Sequence, residues 1–162
     1  MILSSAETLQ LRDVLESDLP IFFAQQQDPE ANYMAGFTAK DPSDKDAFMA
    51  HWAKILADKT TINRTILFEG QVVGSIAKFD FEGEPNVTYW LGKEYWGQGI
   101  ATAALQKLLG EIASRPLYGR VVKDNIGSLR VLQKCGFTIV SEDKGFANAR
   151  KAEVEEWILK LL

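Results

Sequence analysis

Residues 89–105 read "YWLGKEYWGQGIATAAL", and the fold turns on this stretch. Tyr89, Trp90 and Leu91 form a β-favouring run. Glycines interrupt it, and Ala101, Ala104, Leu105, Leu108 and Ile112 then fall at helical spacing. The first N–H groups of a helix lack internal partners and lie at the positive end of its dipole. Glycine at that point carries no Cβ to obstruct an anion. "GQGIAT" therefore reads as a diphosphate cradle. Gly97 and Gly99 make room, the amides of Gln98, Gly99, Ile100, Ala101 and Thr102 donate, and the Thr102 hydroxyl adds one more donor. A dinucleotide fingerprint would need glycine at Thr102 and an acidic ribose partner about 20 residues on. The G-K-[ST] of a P-loop is absent.

The elements around the cradle follow from their periods. "TLQLRDV" alternates as a first strand, and "ESDLPIFFAQQQ" is a helix with cap-like Ser17 and Asp18 before Pro20. Residues 28–42 read as a turn-rich connection. "SDKDAFMAHWAKILADK" is a second helix, capped by Ser43, with Phe48, Trp52, Ile55 and Leu56 on one face. "TINRTILFEGQVVGSIAKFDF" gives two strands joined at Glu69-Gly70 as a hairpin, and "NVTYWL" a third. After the cradle helix come a strand, "PLYGRVV", and a short helix, "NIGSLRVLQKCG", with Gly136 suited to C′. "FTIVSE" is the next strand. "AEVEEWILKL" fits a helix through Val154, Trp157, Ile158 and Leu161 and a strand through Trp157, Leu159 and Leu161; its β-rich setting favours strand. The order is strand, two helices, three strands, helix, strand, helix, two strands, which predicts a mixed α/β or α+β fold in a single domain over residues 1–162.

Composition bounds the function. The chain is 46% hydrophobic and 25% charged, as globular proteins are. A net charge of -4 argues against general nucleic-acid binding, which needs a basic face. No apolar run approaches the roughly 20 residues of a membrane span, and "MILSSAETLQLRD" lacks the basic start of a signal peptide. With one cysteine, Cys135, no intrachain disulfide forms, and a cytoplasmic location is expected. Cys135 reads as a packed thiol and His51, the one histidine, as structural or surface; no metal cluster is visible.

"NIGSLRVLQKCGF", residues 125–137, adds a second motif. Together with "YWLGKEYWGQGIATAAL" it resembles the GNAT superfamily of acetyl-CoA-dependent N-acyltransferases, and most of all the branch that includes the ribosomal-protein N-terminal acetyltransferases. The superfamily's Q/R-x-x-G-x-G/A maps onto Trp96 through Ala101, with Trp96 at the Q/R position. The branch pattern N-x-x-S-x-x-x-L-x-K-x-G-F matches Asn125, Ser128, Leu132, Lys134, Gly136 and Phe137. The resemblance implies a mixed, mostly antiparallel twisted sheet of about six to seven strands with helices on both faces, splayed at the strand that binds acetyl-CoA. It implies that Tyr89, Trp90 and Leu91 pair through their backbones with the pantetheine arm, and that an N–H near Leu91 polarises the thioester carbonyl. Gln98–Thr102 would hold the diphosphate. Asn125 would bond the pantetheine or nearby backbone, and Ser128 would sit near the sulfur. Lys134 reads as a partner for the adenosine phosphate or as a solvated lysine. Homodimers are common in the family, and no nucleic acid or membrane partner is expected.

The implied reaction is direct attack of an amine on the acetyl carbonyl. Two departures from the family bear on it. A tyrosine acid is common where this chain has Leu132, which leaves Ser128 as the nearest substitute, or as a helix N-cap. A glutamate is common where Asn86 aligns, which leaves Glu84, Glu82, Asp80 and Glu142 as candidate bases, each otherwise a surface carboxylate. Freeing a lysine-like amine at pH 7.4 costs roughly 4 kcal/mol, against under about 1 kcal/mol for an α-amine. Without an evident base, a peptide or protein N-terminus is the favoured acceptor. The alternatives are a small amine (polyamine, amino acid, amino sugar or antibiotic), to which the acidic "FDFEGEPN" is suited, and a CoA-binding sensor without turnover. Aromatics of the 28–42 connection, Tyr33 and Phe37, are candidates to line an acceptor pocket.

Overall fold

The structure, a computed structural model, describes residues 8–162. Residues 1–7, part of the stretch weighed as a signal peptide, lie outside them. Seven strands, β1 (Leu9–Asp13), β2 (Ile62–Phe68), β3 (Gln71–Phe81), β4 (Glu84–Leu91), β5 (Leu117–Val122), β6 (Thr138–Ala147) and β7 (Ala152–Leu161), form one sheet in the order β1-β2-β3-β4-β5-β7-β6. Neighbours run antiparallel except β4 and β5, which are parallel and meet at one pair, Asn86 and Tyr118. The helices α1 (Leu19–Gln25), α2 (Pro29–Ala35), α3 (Lys45–Ala57), α4 (Ile100–Glu111) and α5 (Ile126–Lys134) lie on both faces. This is the mixed, mostly antiparallel architecture expected from the sequence.

Local chemistry sets the joints. Glu69 and Gly70 both take positive φ, 52° and 80°, so β2 and β3 close on a two-residue turn with Phe68 opposite Gln71. Glu82 and Gly83 do the same between β3 and β4. Gly74 permits a close approach: a Cβ there would stand 2.0 Å from the Trp90 carbonyl oxygen, so β3 runs against the site strand only because this residue is glycine. The apolar stripe of α4 is buried as its spacing predicts: Ala104 and Leu108 are fully enclosed with Ile66, Ile76 and Leu159 in the main core. Burying a leucine such as Leu108 contributes about 1.5–3 kcal/mol.

Four local readings are corrected. The 28–42 connection holds α2, started by Asp28, whose carboxylate accepts from the Glu30 and Ala31 amides, and stopped by Gly36 at φ 75°. Seven residues give too short a period to recognise. Asp44, not Ser43, caps α3, accepting from the Ala47 amide; Ser43 bonds Asp41 instead. Leu56 is exposed, off the face formed by Phe48 and Trp52. Strand β6 runs on to Ala147, because β7 pairs with it as far as Ala152.

Leu19, Phe22 and Phe48 build a second cluster, with Trp52 and Val72 packed on it. Phe22 and Trp52 stack with centroids 5.2 Å apart. Asp18 ties this layer to the sheet. Its carboxylate is 2% exposed and accepts from Arg12 at 2.7 and 2.9 Å, the Leu15 amide at 2.9 Å and Thr65 Oγ1 at 2.6 Å. Burial alone would raise its pKa, but the four hydrogen bonds and the charge of Arg12 outweigh burial and hold it at about 2. The folded value lies below the unfolded value of 3.8, so the unfolded chain takes up the proton first as pH falls. The contribution, about 2 kcal/mol, is complete above the unfolded value and disappears as pH falls through the folded one. Urea unfolding between about pH 5 and pH 2 is therefore expected to show a fall in stability that Asp18→Asn makes shallower.

Candidate active site

The site begins where β4 parts from β5. Beyond Asn86 and Tyr118 the two strands are no longer paired, and the outer half of β4 becomes a wall. The chain then turns tightly: Tyr95 N–H donates to the Gly92 carbonyl at 2.9 Å and Trp96 Nε1 to the Leu91 carbonyl at 3.2 Å. Gly97 and Gly99 take φ of 75° and 79°, the left-handed region. Gly99 is the N-cap of α4, no side chain caps the helix, and a Cβ on either glycine would meet open space. The helix presents its first turn, with its orphan amides, to a cavity of about 460 Å³.

That cavity collects most of the candidate residues. Tyr89, Trp90, Leu91, Gly97, Gly99, Ile100, Ala101, Thr102, Asn125, Ser128 and Lys134 all line it. Gln98 does not; its side chain folds back, Nε2 donating to the Glu94 carbonyl at 3.3 Å, so only its amide is a candidate donor. Asn125 is the N-cap of α5: Oδ1 accepts from the Ser128 amide at 3.3 Å, and Nδ2 donates to the Met34 carbonyl of α2 at 3.2 Å. Ser128 is thus not the cap. Its hydroxyl lies 2.7 Å from that of Tyr89.

A second cavity, of about 630 Å³, adjoins the first and shares Ala35, Tyr89, Trp90, Asn125 and Ser128 with it. Phe37, Phe79 and Phe81 make its walls apolar, while Tyr33 is not among its lining. Arg120 crosses it: Nε donates to Glu156 at 2.7 Å, Nη2 donates to Asp143 at 2.7 Å, and the guanidinium sits 5.1 Å from the Phe81 ring centroid. Desolvation lowers the Arg120 pKa, but the two carboxylates more than offset it and raise the value, so the guanidinium stays charged. Trp90 Nε1, on the wall common to both cavities, is buried without a hydrogen-bond partner, a donor that a ligand's acceptor would satisfy.

The candidate bases are placed elsewhere. Glu84, exposed at the start of β4, lines neither cavity. Asp80 pairs with Lys78 at 3.2 Å, Glu82 occupies the β3–β4 turn, and Glu142 pairs with Lys123 at 2.8 Å. Asn86 spends its amide on the Glu84 carbonyl at 3.1 Å. Among the described residues no cluster of His, Cys, Asp and Glu is built to hold a metal, and no helix is long and apolar enough to cross a membrane. The sequence reading missed the Tyr89 hydroxyl and the Arg120, Asp143 and Glu156 cluster. Alternation places Tyr89 on the face of Val87 and Leu91, which pointed to the α5 side of the sheet.

Comparison with known proteins identifies this architecture. The profile of the Acetyltransferase (GNAT) domain matches residues 8–138, and the chain belongs to that family. A curated relative, "Putative ribosomal N-acetyltransferase YdaF" of Bacillus subtilis (strain 168), is 31% identical over 80 residues; the match spans 45% of this chain and 44% of that protein. Among solved structures, the RimL ribosomal alpha-N-protein acetyltransferase in complex with coenzyme A superposes with a TM-score of 0.78 at 19% identity, covering 99% of this chain and 98% of its own. Mycobacterium smegmatis RimJ in complex with a CoA-disulfide gives 0.78 at 18%, covering 94% and 81%. Spermidine N-acetyltransferase from Vibrio cholerae, in complex with CoA and spermine, gives 0.77 at 15%, covering 95% and 96%. At these identities the superpositions show the shared fold.

Asn125 holds the two cavities in register, because it caps α5 and fastens α2 at once. Asn125→Ala is expected to cost about 1–2 kcal/mol, read as a lower urea midpoint with an unchanged slope.

Proposed function

We propose that this acetyltransferase is acetyl-CoA-dependent and moves an acetyl group to a primary amine by direct attack in a ternary complex, with a peptide or protein N-terminus as acceptor. The observation that carries the reading is the pair of adjoining cavities that share the Tyr89, Trp90, Asn125 and Ser128 wall. One begins at an uncapped helix N-terminus, suited to a diphosphate, and the other is an open chamber suited to the amine-bearing partner.

Acetyl-CoA supplies an acetyl group already joined to a good leaving group. In this reading Gly97 and the amides from Gln98 to Thr102 hold its diphosphate. Lys134 stands at the adenosine end, and the Tyr89–Leu91 backbone receives the arm as an added strand. An N–H near Leu91 stabilises the oxyanion. Meeting at the shared wall turns a bimolecular encounter into an aligned one.

The chamber also bears on the acceptor. Its two carboxylates, Asp143 and Glu156, are both engaged by Arg120, and the Lys144 amide together with Arg120 holds Asp143 below the usual carboxylate range. An acceptor that is already partly neutral at working pH suits such a site, and an α-amine near pKa 8 is one. RimL and RimJ, named for ribosomal-protein and N-terminal chemistry of this kind in the case of RimL, share the fold. Glu84 is left as a base acting through water. Glu84→Gln tests that role: a lower rate at every pH assigns it, and an unchanged rate leaves the acceptor's own pKa as the controlling one.

Two measurements follow. In calorimetric titration, Gly99→Glu, which sets a negative side chain before the helix terminus, is expected to lose the acetyl-CoA binding of the parent while keeping its fold. Release of free CoA is then followed with peptides bearing free N-termini, spermidine, amino acids and amino sugars. Turnover is expected with the peptides, rising with pH to about 8 and then levelling. Turnover with small amines alone would replace the acceptor class, and binding without release from any amine would make the protein a CoA sensor.

A further inference from the structure

The shared wall contains one side-chain hydrogen bond that spans two elements at the point where the cavities meet. Tyr89 Oη and Ser128 Oγ are 2.7 Å apart, one on β4 and the other in the first turn of α5. Leu132, one turn further along α5, offers an aliphatic side chain where an acid would have been useful. The surroundings constrain what the pair can do. Desolvation raises the Tyr89 pKa, and Cys135, the titratable neighbour acting on it, raises it further, against the lowering from Ser128. Cys135 is itself pushed up by burial, so both groups stay neutral. A phenol whose pKa lies above that of a thiol stays protonated beside a thiolate, and so supplies a hydrogen bond rather than its proton.

We propose that Tyr89 is a positioning residue for the leaving group: its hydroxyl donates to Ser128 Oγ, and so directs the Ser128 hydroxyl proton at the sulfur of the departing CoA. This rests on the acetyl-CoA reading above. As the amine nitrogen forms its bond to the acetyl carbon, the C–S bond breaks and its electron pair stays on sulfur. Ser128 O–H donates to that sulfur and Tyr89 O–H donates to Ser128, without transfer of either proton. The amine loses its surplus proton to water, and CoA leaves as thiolate or takes a proton from water. Each donor strengthens the next in such a chain, so the phenol supplies through serine what Leu132 does not supply directly.

The test is Tyr89→Phe, which keeps the ring and removes the hydroxyl. The kcat for acetyl transfer is expected to fall about three- to tenfold, the net worth of one hydrogen bond between neutral groups, with KM for acetyl-CoA and the melting temperature little changed. A second readout needs no turnover. The parent is expected to prefer CoA over desulfo-CoA increasingly as pH rises toward the thiol's ordinary value of about 8.5, because it stabilises bound thiolate. Tyr89→Phe is expected to lose that preference, Ser128→Ala to lose it equally, and the double variant to lose no more than Ser128→Ala alone. Variants that keep the kcat and the pH-dependent preference overturn the proposal, and so does a Tyr89→Phe effect confined to KM or stability. Should Tyr89→Phe fail to fold, retention of the preference in Ser128→Ala overturns it equally. Failure of the parent itself to bind acetyl-CoA would instead sink the functional reading, and the two failures are thereby told apart.

Discussion

Everything at the site depends on one parting of strands. Parallel pairing of β4 with β5 ends at Asn86 and Tyr118, yet both strands stay anchored on their other edges, β4 to β3 through eight pairs and β5 to β7 through six. A sheet that opens in this way must find other partners for its backbone groups, because unpaired polar groups are costly when buried. The opening creates a slot with main-chain donors and acceptors along one wall, and the two cavities beside it share Tyr89 and Trp90 of that wall with Ala35, Asn125 and Ser128 from the helices around it. Gly74 stabilises the arrangement from behind, since any side chain there would push the Trp90 carbonyl, and with it β4, out of place.

Around the slot, polar side chains are used to fasten elements. Asn125 joins α5 to α2, and Arg150 joins Asp124, before α5, to the Tyr33 carbonyl of α2 with bonds of 2.6 and 2.7 Å. These contacts press a seven-residue helix, too short to be stable alone, against the cavity rim, where Ala35 lines both chambers. Phe37 continues the same segment against Gly145 of β6. The rim's shape is therefore set by tertiary contacts rather than by local propensity.

This explains what was legible in the sequence. The glycine turn from β4 into α4 was, because a strand end, two glycines and an apolar helical stripe are all local signals. Gly136 closed α5 for the same reason, as its C′ residue at φ 96°, whereas the N-cap is Asn125 and not Ser128. Helix α2 was not, since its Asp28 cap and Gly36 stop enclose too few residues for a period to emerge. The far end of β6 was not, since only pairing with β7 extends it. Tyr89 and Ser128 lie 39 residues apart and Arg120 and Glu156 36, so no local pattern could announce either contact. The motif resemblance located Ser128 but gave no sign of its partner.

The two polar clusters at the junction contrast in a way that bears on catalysis. Arg120 with its two carboxylates is a charged structure held together by its one cation; removing Arg120 leaves both Glu156 and Asp143 without it. Such a cluster shapes and polarises the second cavity, and the Lys144 amide together with Arg120 holds Asp143 below the usual carboxylate range. The Tyr89 and Ser128 pair is neutral, so it can sit half-buried between the cavities at no cost in unpaired charge. It responds only when negative charge appears beside it, which in the proposed transfer is the charge on sulfur as the thioester breaks. A fixed cation at that point would bind the thiolate product as firmly as the transition state and slow its release. A polarised hydroxyl chain strengthens with the developing charge, which is the differential stabilisation that a transfer step requires.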